Sequence, residues 1–140
     1  MRYLFLILFI FIATPALSCS CISPTIEEGE KSYNKSDVII KGTIIENSNG
    51  WQGRKPILKI KVDDVIKGRD IPDQITVDYN PNTAACGNEF IANKGYVLAL
   101  YDTRTLMLSD DNKRGYGFRV MVSCHQMQIR NYIKYKESDK

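Results

Sequence analysis

Val38-Ile39-Ile40-Lys41-Gly42-Thr43-Ile44-Ile45 is the stretch on which the fold turns. Side chains alternate across a strand, so Val38, Ile40, Gly42 and Ile44 share one face and Ile39, Lys41, Thr43 and Ile45 the other. Apolar residues stand on both faces, which predicts a largely buried strand. Gly42, midway, fits a sharp bend or a close backbone approach, as at a barrel corner. Upstream, Thr25 and Glu28 form a capping-box pattern, and paired carboxylates at 27 and 28 favour the positive end of a helix over residues 26–34.

Downstream, residues 47–56 form a polar loop with Trp51 at its tip, either an exposed contact residue or folded back onto the barrel. Leu58, Ile60 and Val62 then alternate with Lys59, Lys61 and Asp63 as a half-buried strand. The alternation breaks before Val65, and one extra residue near Asp63-Asp64 restores it, which predicts a β-bulge there. Ile75, Val77 and Tyr79 make a third strand, ended by Asn80-Pro81-Asn82-Thr83. Residues 84–87 form a small-residue loop carrying Cys86, and residues 96–101 a fourth strand, apolar on both faces. Residues 105–109 and 116–123 flank a hairpin turn at 110–115, and Tyr116, Phe118, Val120 and Val122 alternate up to Cys124. Ile129, Tyr132 and Ile133 share one face of a closing helix over residues 126–135. Short strands in close succession, with one helix early and one late, predict a mainly β, single-domain chain folded as a small closed barrel.

The first residues bear on the compartment. Arg2 precedes an unbroken apolar run over residues 3–12, and Pro15, Ala16 and Ser18 lead to Cys19. Small residues at minus three and minus one are what a signal peptidase requires, so residues 1–18 read as a signal peptide and residues 19–140 as the mature domain. The run falls well short of the roughly 20 residues that span a bilayer, so no membrane association is expected after cleavage. Acylation of Cys19 is the rival route, but its enzyme wants a large aliphatic residue at minus three and a small one at minus two. Ala16 and Leu17 stand the wrong way round. The expected destination is therefore secreted or periplasmic.

All four cysteines, Cys19, Cys21, Cys86 and Cys124, lie in the mature part, and an even count in an oxidising compartment reads as two disulfides. A Cys19–Cys21 ring would be small and strained, so each of these two must reach Cys86 or Cys124. Two such bonds clamp the amino terminus onto the domain, where termini ordinarily fray. The formal charge of +3, with Lys and Arg scattered among Asp and Glu, describes a solvated surface and calls for neither nucleic acid nor an anionic membrane.

At this point the chain resembles a known family, the inhibitory amino-terminal domain of the tissue inhibitors of metalloproteinases and, more broadly, the netrin-like modules. The likeness runs from Cys19-Ser20-Cys21 through residues 36–42, residues 61–68, Ala84-Ala85-Cys86-Gly87 with Tyr96-Val97-Leu98, to Cys124. It implies a five-stranded, Greek-key OB-fold barrel with bonds Cys19–Cys86 and Cys21–Cys124. It also implies a mechanism in which the Cys19 amine and carbonyl oxygen chelate the catalytic zinc of a partner metalloprotease. Ser20 would enter the specificity pocket, Cys21 and Ile22 would continue the contact, and Ala84, Ala85 and Gly87 would form the other half of the ridge around Cys86. The only metal in this scheme is the partner's; the chain itself is expected to carry no cofactor and to be a monomer.

The animal inhibitors have a third disulfide whose first cysteine would fall at about Asn34, and a carboxy-terminal subdomain that this sequence lacks. The alternative reading is therefore a secreted or periplasmic netrin-like interaction module without protease inhibition. Nucleic-acid binding would need aromatics in a basic groove, and no such signature stands out. His125 is the single histidine, beside a cysteine expected in a disulfide, and it offers no acid–base or nucleophilic constellation, so an enzyme is not expected.

Overall fold

The computed structural model describes residue 21 and residues 25–50, 55–104 and 117–139. The expected signal peptide, Cys19, Ser20, Ile22, Trp51, the 105–109 segment, the 110–115 turn and Tyr116 lie outside these residues. The elements, in chain order, are α1 (Ile26–Lys35), β1 (Val38–Ser48), β2 (Ile57–Lys67), β3 (Gln74–Asp78), a 3₁₀ turn (Thr83–Ala85), β4 (Gly95–Asp102), β5 (Phe118–Val120) and α2 (Ser123–Ser138).

The five strands close into a barrel in the order β1-β2-β3-β5-β4, with β4 returning to β1. Neighbours are antiparallel except β3 and β5, which run parallel with Asp78 opposite Arg119. This is the small closed barrel expected of the strand pattern, with the OB-type strand order that the resemblance implies, mainly β with one helix near each end. Val38, Ile40 and Ile44 point into the barrel with Leu58, Ile60 and Leu98, while Ile39 faces outward to a second cluster with Ala99, Met121, Ile129 and Ile133. Both faces of β1 are thus covered over residues 38–40, one by the barrel interior and one by the helices. Each such buried Ile or Leu contributes roughly 1.5–3 kcal/mol of burial.

At Gly42 β2 approaches β1 closely. A Cβ there would lie 2.7 Å from Ile60 Cγ2 and 2.8 Å from the Lys61 carbonyl oxygen, so a side chain would push the strands apart. The expected bulge is present: Lys41 pairs with Asp64 and Gly42 with Val62, leaving Asp63 unopposed. A second irregularity passes over Ile66, which turns toward the helices and leaves Val65 exposed rather than inward. A third passes over Ile45, which is exposed instead of sharing the covered face of Ile39.

Helix α1 begins with the full capping box, Thr25 Oγ1 accepting from Glu28 N–H and the Glu28 carboxylate accepting from Thr25 N–H, both at 3.2 Å. At its other end Lys67 Nζ donates to the carbonyls of Tyr33, Asn34 and Ser36 at 2.8, 3.1 and 2.6 Å, a cation where the helix dipole is negative. The two helices meet through small residues: a Cβ on Gly29 would be 2.8 Å from Tyr132 Cβ, and Ser32 donates to Gln128 Oε1 at 2.6 Å.

Candidate functional site

Cys21, the first turn of α2 and the Cys86 loop converge. Cys21 is disulfide-bonded to Cys124 with their Cα atoms 5.3 Å apart, so a half-buried residue before α1 is fixed to the first turn of α2. Cys86 is also in a disulfide; its expected partner, Cys19, lies outside the described residues. The two anchors are neighbours in space, because Ser123 N–H, adjacent to Cys124, donates to the Cys86 carbonyl at 3.1 Å. A Cys-x-Cys segment needs anchors this close together if both its sulfurs are to be held.

The loop around Cys86 is held together by its own residues. Asn80 Oδ1 accepts from Asn82 N–H at 3.0 Å, an Asx turn, and the Asn82 carbonyl then accepts from both Ala85 N–H and Gly87 N–H at 3.0 and 2.8 Å. Asn88 N–H donates to the Asn80 carbonyl at 2.7 Å, which closes the loop at its base. Cys86 sits at φ 58, in the left-handed region that side chains rarely adopt. Gly87 is obligatory: a Cβ would fall on the Asn80 carbonyl oxygen and lie 2.5 Å from that of Asn82. Asn88, buried, donates through Nδ2 to the Met121 carbonyl at 2.9 Å and so ties the loop to the end of β5.

Of the sequence-expected contact residues, Cys21, Ala85 and Gly87 are accounted for: Cys21 half-buried, Ala85 exposed, Gly87 buried beneath the loop. Ala84 occupies the same 3₁₀ turn as Ala85. Cys19, Ser20 and Ile22 lie outside the described residues. Asn80, Asn82 and Asn88 were not singled out, although Asn80-Pro81-Asn82 carries the turn chemistry that gives them their role.

Beside this loop two clefts flank Tyr79. One, of about 350 Å³, is lined by Asn47, Asn49, Thr83, Asn88 and Glu89. Tyr79 Oη lies 2.5 Å from Asn47 Oδ1 and 2.6 Å from Asn49 Oδ1, and Asn47 Nδ2 donates to the Phe90 carbonyl at 2.6 Å. A hydroxyl has one proton, so Tyr79 donates to Asn47 and the Asn49 amide must turn its NH₂ toward Tyr79. Burial raises the Tyr79 hydroxyl above its usual pKa, the Asn47 hydrogen bond opposing it. The other cleft, of about 430 Å³, lies between β3, β5 and the start of α2.

His125, next to Cys124, has its Nδ1 buried without a hydrogen-bond partner, and its pKa is lowered by that burial and by the nearby Lys35 charge. Among the described residues no three His, Cys, Asp or Glu side chains gather as a metal site, and no helix is long and apolar enough to cross a membrane. In comparisons with known proteins, no family model and no curated sequence matches the chain.

Proposed function

We propose that this chain is an exported protein inhibitor of zinc metalloproteases that acts through its mature amino terminus at Cys19. The observation that carries the reading is the Cys21–Cys124 disulfide, with the Cys86 carbonyl hydrogen-bonded one residue from Cys124. A Cys19–Cys86 bond beside it would hold the terminal residue on the edge of the barrel, next to the exposed Ala85. A catalytic zinc keeps an open position for water, and an amine and a carbonyl oxygen can take it together. An α-amino group titrates near pH 8, roughly, so a neutral, ligating fraction exists at physiological pH. Holding that ligand pair in place beforehand reduces the entropy lost on binding. Ser20 would point past the metal into the protease's specificity pocket, and the chain would perform no catalysis of its own.

The test is the inhibition constant of the exported wild-type protein against a panel of zinc metalloproteases, with Ser20→Gly beside it. Inhibition of at least one member is expected. Ser20→Gly should change the ranking of proteases by about tenfold, the scale on which one side chain in a pocket discriminates. Absence of inhibition across the panel would instead leave the netrin-like interaction module as the better reading.

A further inference from the structure

The single Asn-Gly pair in the sequence, Asn49-Gly50, lies just past the end of β1 at Ser48. Asparagine before glycine is the pairing in which a chain most readily attacks its own side chain, because glycine has no Cβ to shield its backbone nitrogen. The surroundings leave that attack open. Asn49 is exposed, Gly50 sits at φ 75, and the Gly50 N–H has no hydrogen-bond partner among the described residues. Among the same residues the Asn49 carboxamide makes one hydrogen bond, with Tyr79 Oη at 2.6 Å. The Tyr79 proton goes to Asn47, whose own NH₂ is held by the Phe90 carbonyl, so Asn49 is the donor to Tyr79.

From this we infer that Asn49 is a self-modification site, which deamidates in the folded protein at a pace set by Tyr79. The Gly50 nitrogen bonds to Asn49 Cγ, the Cγ–Nδ2 bond breaks, and the proton of the Gly50 N–H leaves with the amide as ammonia. Water then opens the cyclic imide. Opening at Cγ yields aspartate, and opening at the main-chain carbonyl yields isoaspartate; water is the only co-reactant. Either product puts a carboxylate, which has no proton to donate, where an amide donated to Tyr79. The Tyr79 proton then turns to this stronger acceptor, and Asn47 Oδ1 loses its partner. Tyr79 directly precedes Asn80, whose side chain and carbonyl build the Cys86 loop, so the change reaches the base of that loop. It also adds a carboxylate to a cleft that already holds Glu89. This inference holds whether or not the chain inhibits a protease.

The test ages the mature, disulfide-bonded protein in mildly alkaline buffer at body temperature and maps it by peptide mass spectrometry against an unaged control. Amide-to-acid conversion at Asn49 should outpace that at every other asparagine and include the isoaspartate form. Asn49→Gln, which keeps an amide but closes a ring far more slowly, should remove the signal. Tyr79→Phe keeps the ring that packs on Phe90 and frees the Asn49 amide, so conversion should quicken by about fivefold, the effect of releasing one hydrogen bond. Asn49→Asp supplies the product directly and tests the network without touching Tyr79. Its backbone amide NMR signals should be displaced from wild type at Asn47, Tyr79 and Asn80. Conversion at Asn49 no faster than elsewhere, or an unchanged rate in a folded Tyr79→Phe, would overturn the proposal. So would an Asn49→Asp spectrum unchanged at Tyr79 and Asn80, because the new carboxylate would then stand apart from the tyrosine.

Discussion

His125 shows how a single residue couples the disulfide region to solution pH. It sits one position beyond Cys124, with Nδ1 buried and unpaired. Burial first, and the Lys35 charge second, lower its pKa from 6.5. The unfolded chain therefore binds this proton more tightly than the folded one. Stability is unaffected above the unfolded value and falls as pH drops below about 6.5. Wild type should lose thermal stability between about pH 6.5 and 5, and His125→Gln should lose less over that interval, which paired melts would read. Equal losses would mean that the imidazole is hydrated and titrates freely. In the sequence His125 stands out only as the single histidine, without an acid–base constellation, because a lone histidine carries no pattern. Its orphaned nitrogen comes from three-dimensional packing and has no local signature.

At the scale of elements, what was legible was local or periodic. Thr25 and Glu28 are three residues apart, and they form the capping box that the spacing implies. The bulge at Asp63 was legible because a broken alternation has one simple repair. β5 and α2 were harder. β5 ends at Val120, with Met121 packed in the second cluster and Val122 exposed as the residue before α2, so the alternation through Val122 does not continue as a strand. Helix α2 starts at Ser123 rather than Gln126, and its first N–H is satisfied by the Cys86 carbonyl, a partner that no nearby residue announces. Gln126 is the residue most easily missed. It is buried on the same face as Ile129 and Ile133, where a polar residue should have attracted notice. Its Oε1 accepts from Ala99 N–H at 2.8 Å and its Nε2 donates to the Ala99 carbonyl at 2.5 Å, so one side chain pairs with β4 as a strand would. Gln126→Ala leaves that buried N–H unpaired and should destabilise the protein by about 2–3 kcal/mol. The shift would be read from the denaturant midpoint at constant slope. A change below about 0.5 kcal/mol would mean that water replaces the amide.

For the whole molecule, the five described strands close the sheet on itself, and two helices cover one side of it. The Cys21–Cys124 bond spans 103 residues, and cross-linking a loop of that length contributes roughly 4–5 kcal/mol in the chain-entropy picture. Its position matters as much as its strength, since it fixes Cys21 beside the Cys86 loop. The barrel class was legible in the sequence from the strand pattern. The nearness of the two cysteine anchors was implied by the two-residue spacing of Cys19 and Cys21, but the hydrogen bond between residues 123 and 86 that joins them was not. The central claim, that the Cys19 amine is the zinc ligand, is tested most directly by adding one Ala before Cys19. That change converts the amine into a peptide nitrogen, a poor ligand, and puts an extra residue in the cleft. Wild type and the extended form should give the same circular dichroism spectrum and thermal midpoint. The inhibition constant against a sensitive zinc metalloprotease should rise by about a hundredfold or more, as expected when an interaction at the centre of an interface is lost. Equal inhibition by the two forms would contradict chelation through Cys19.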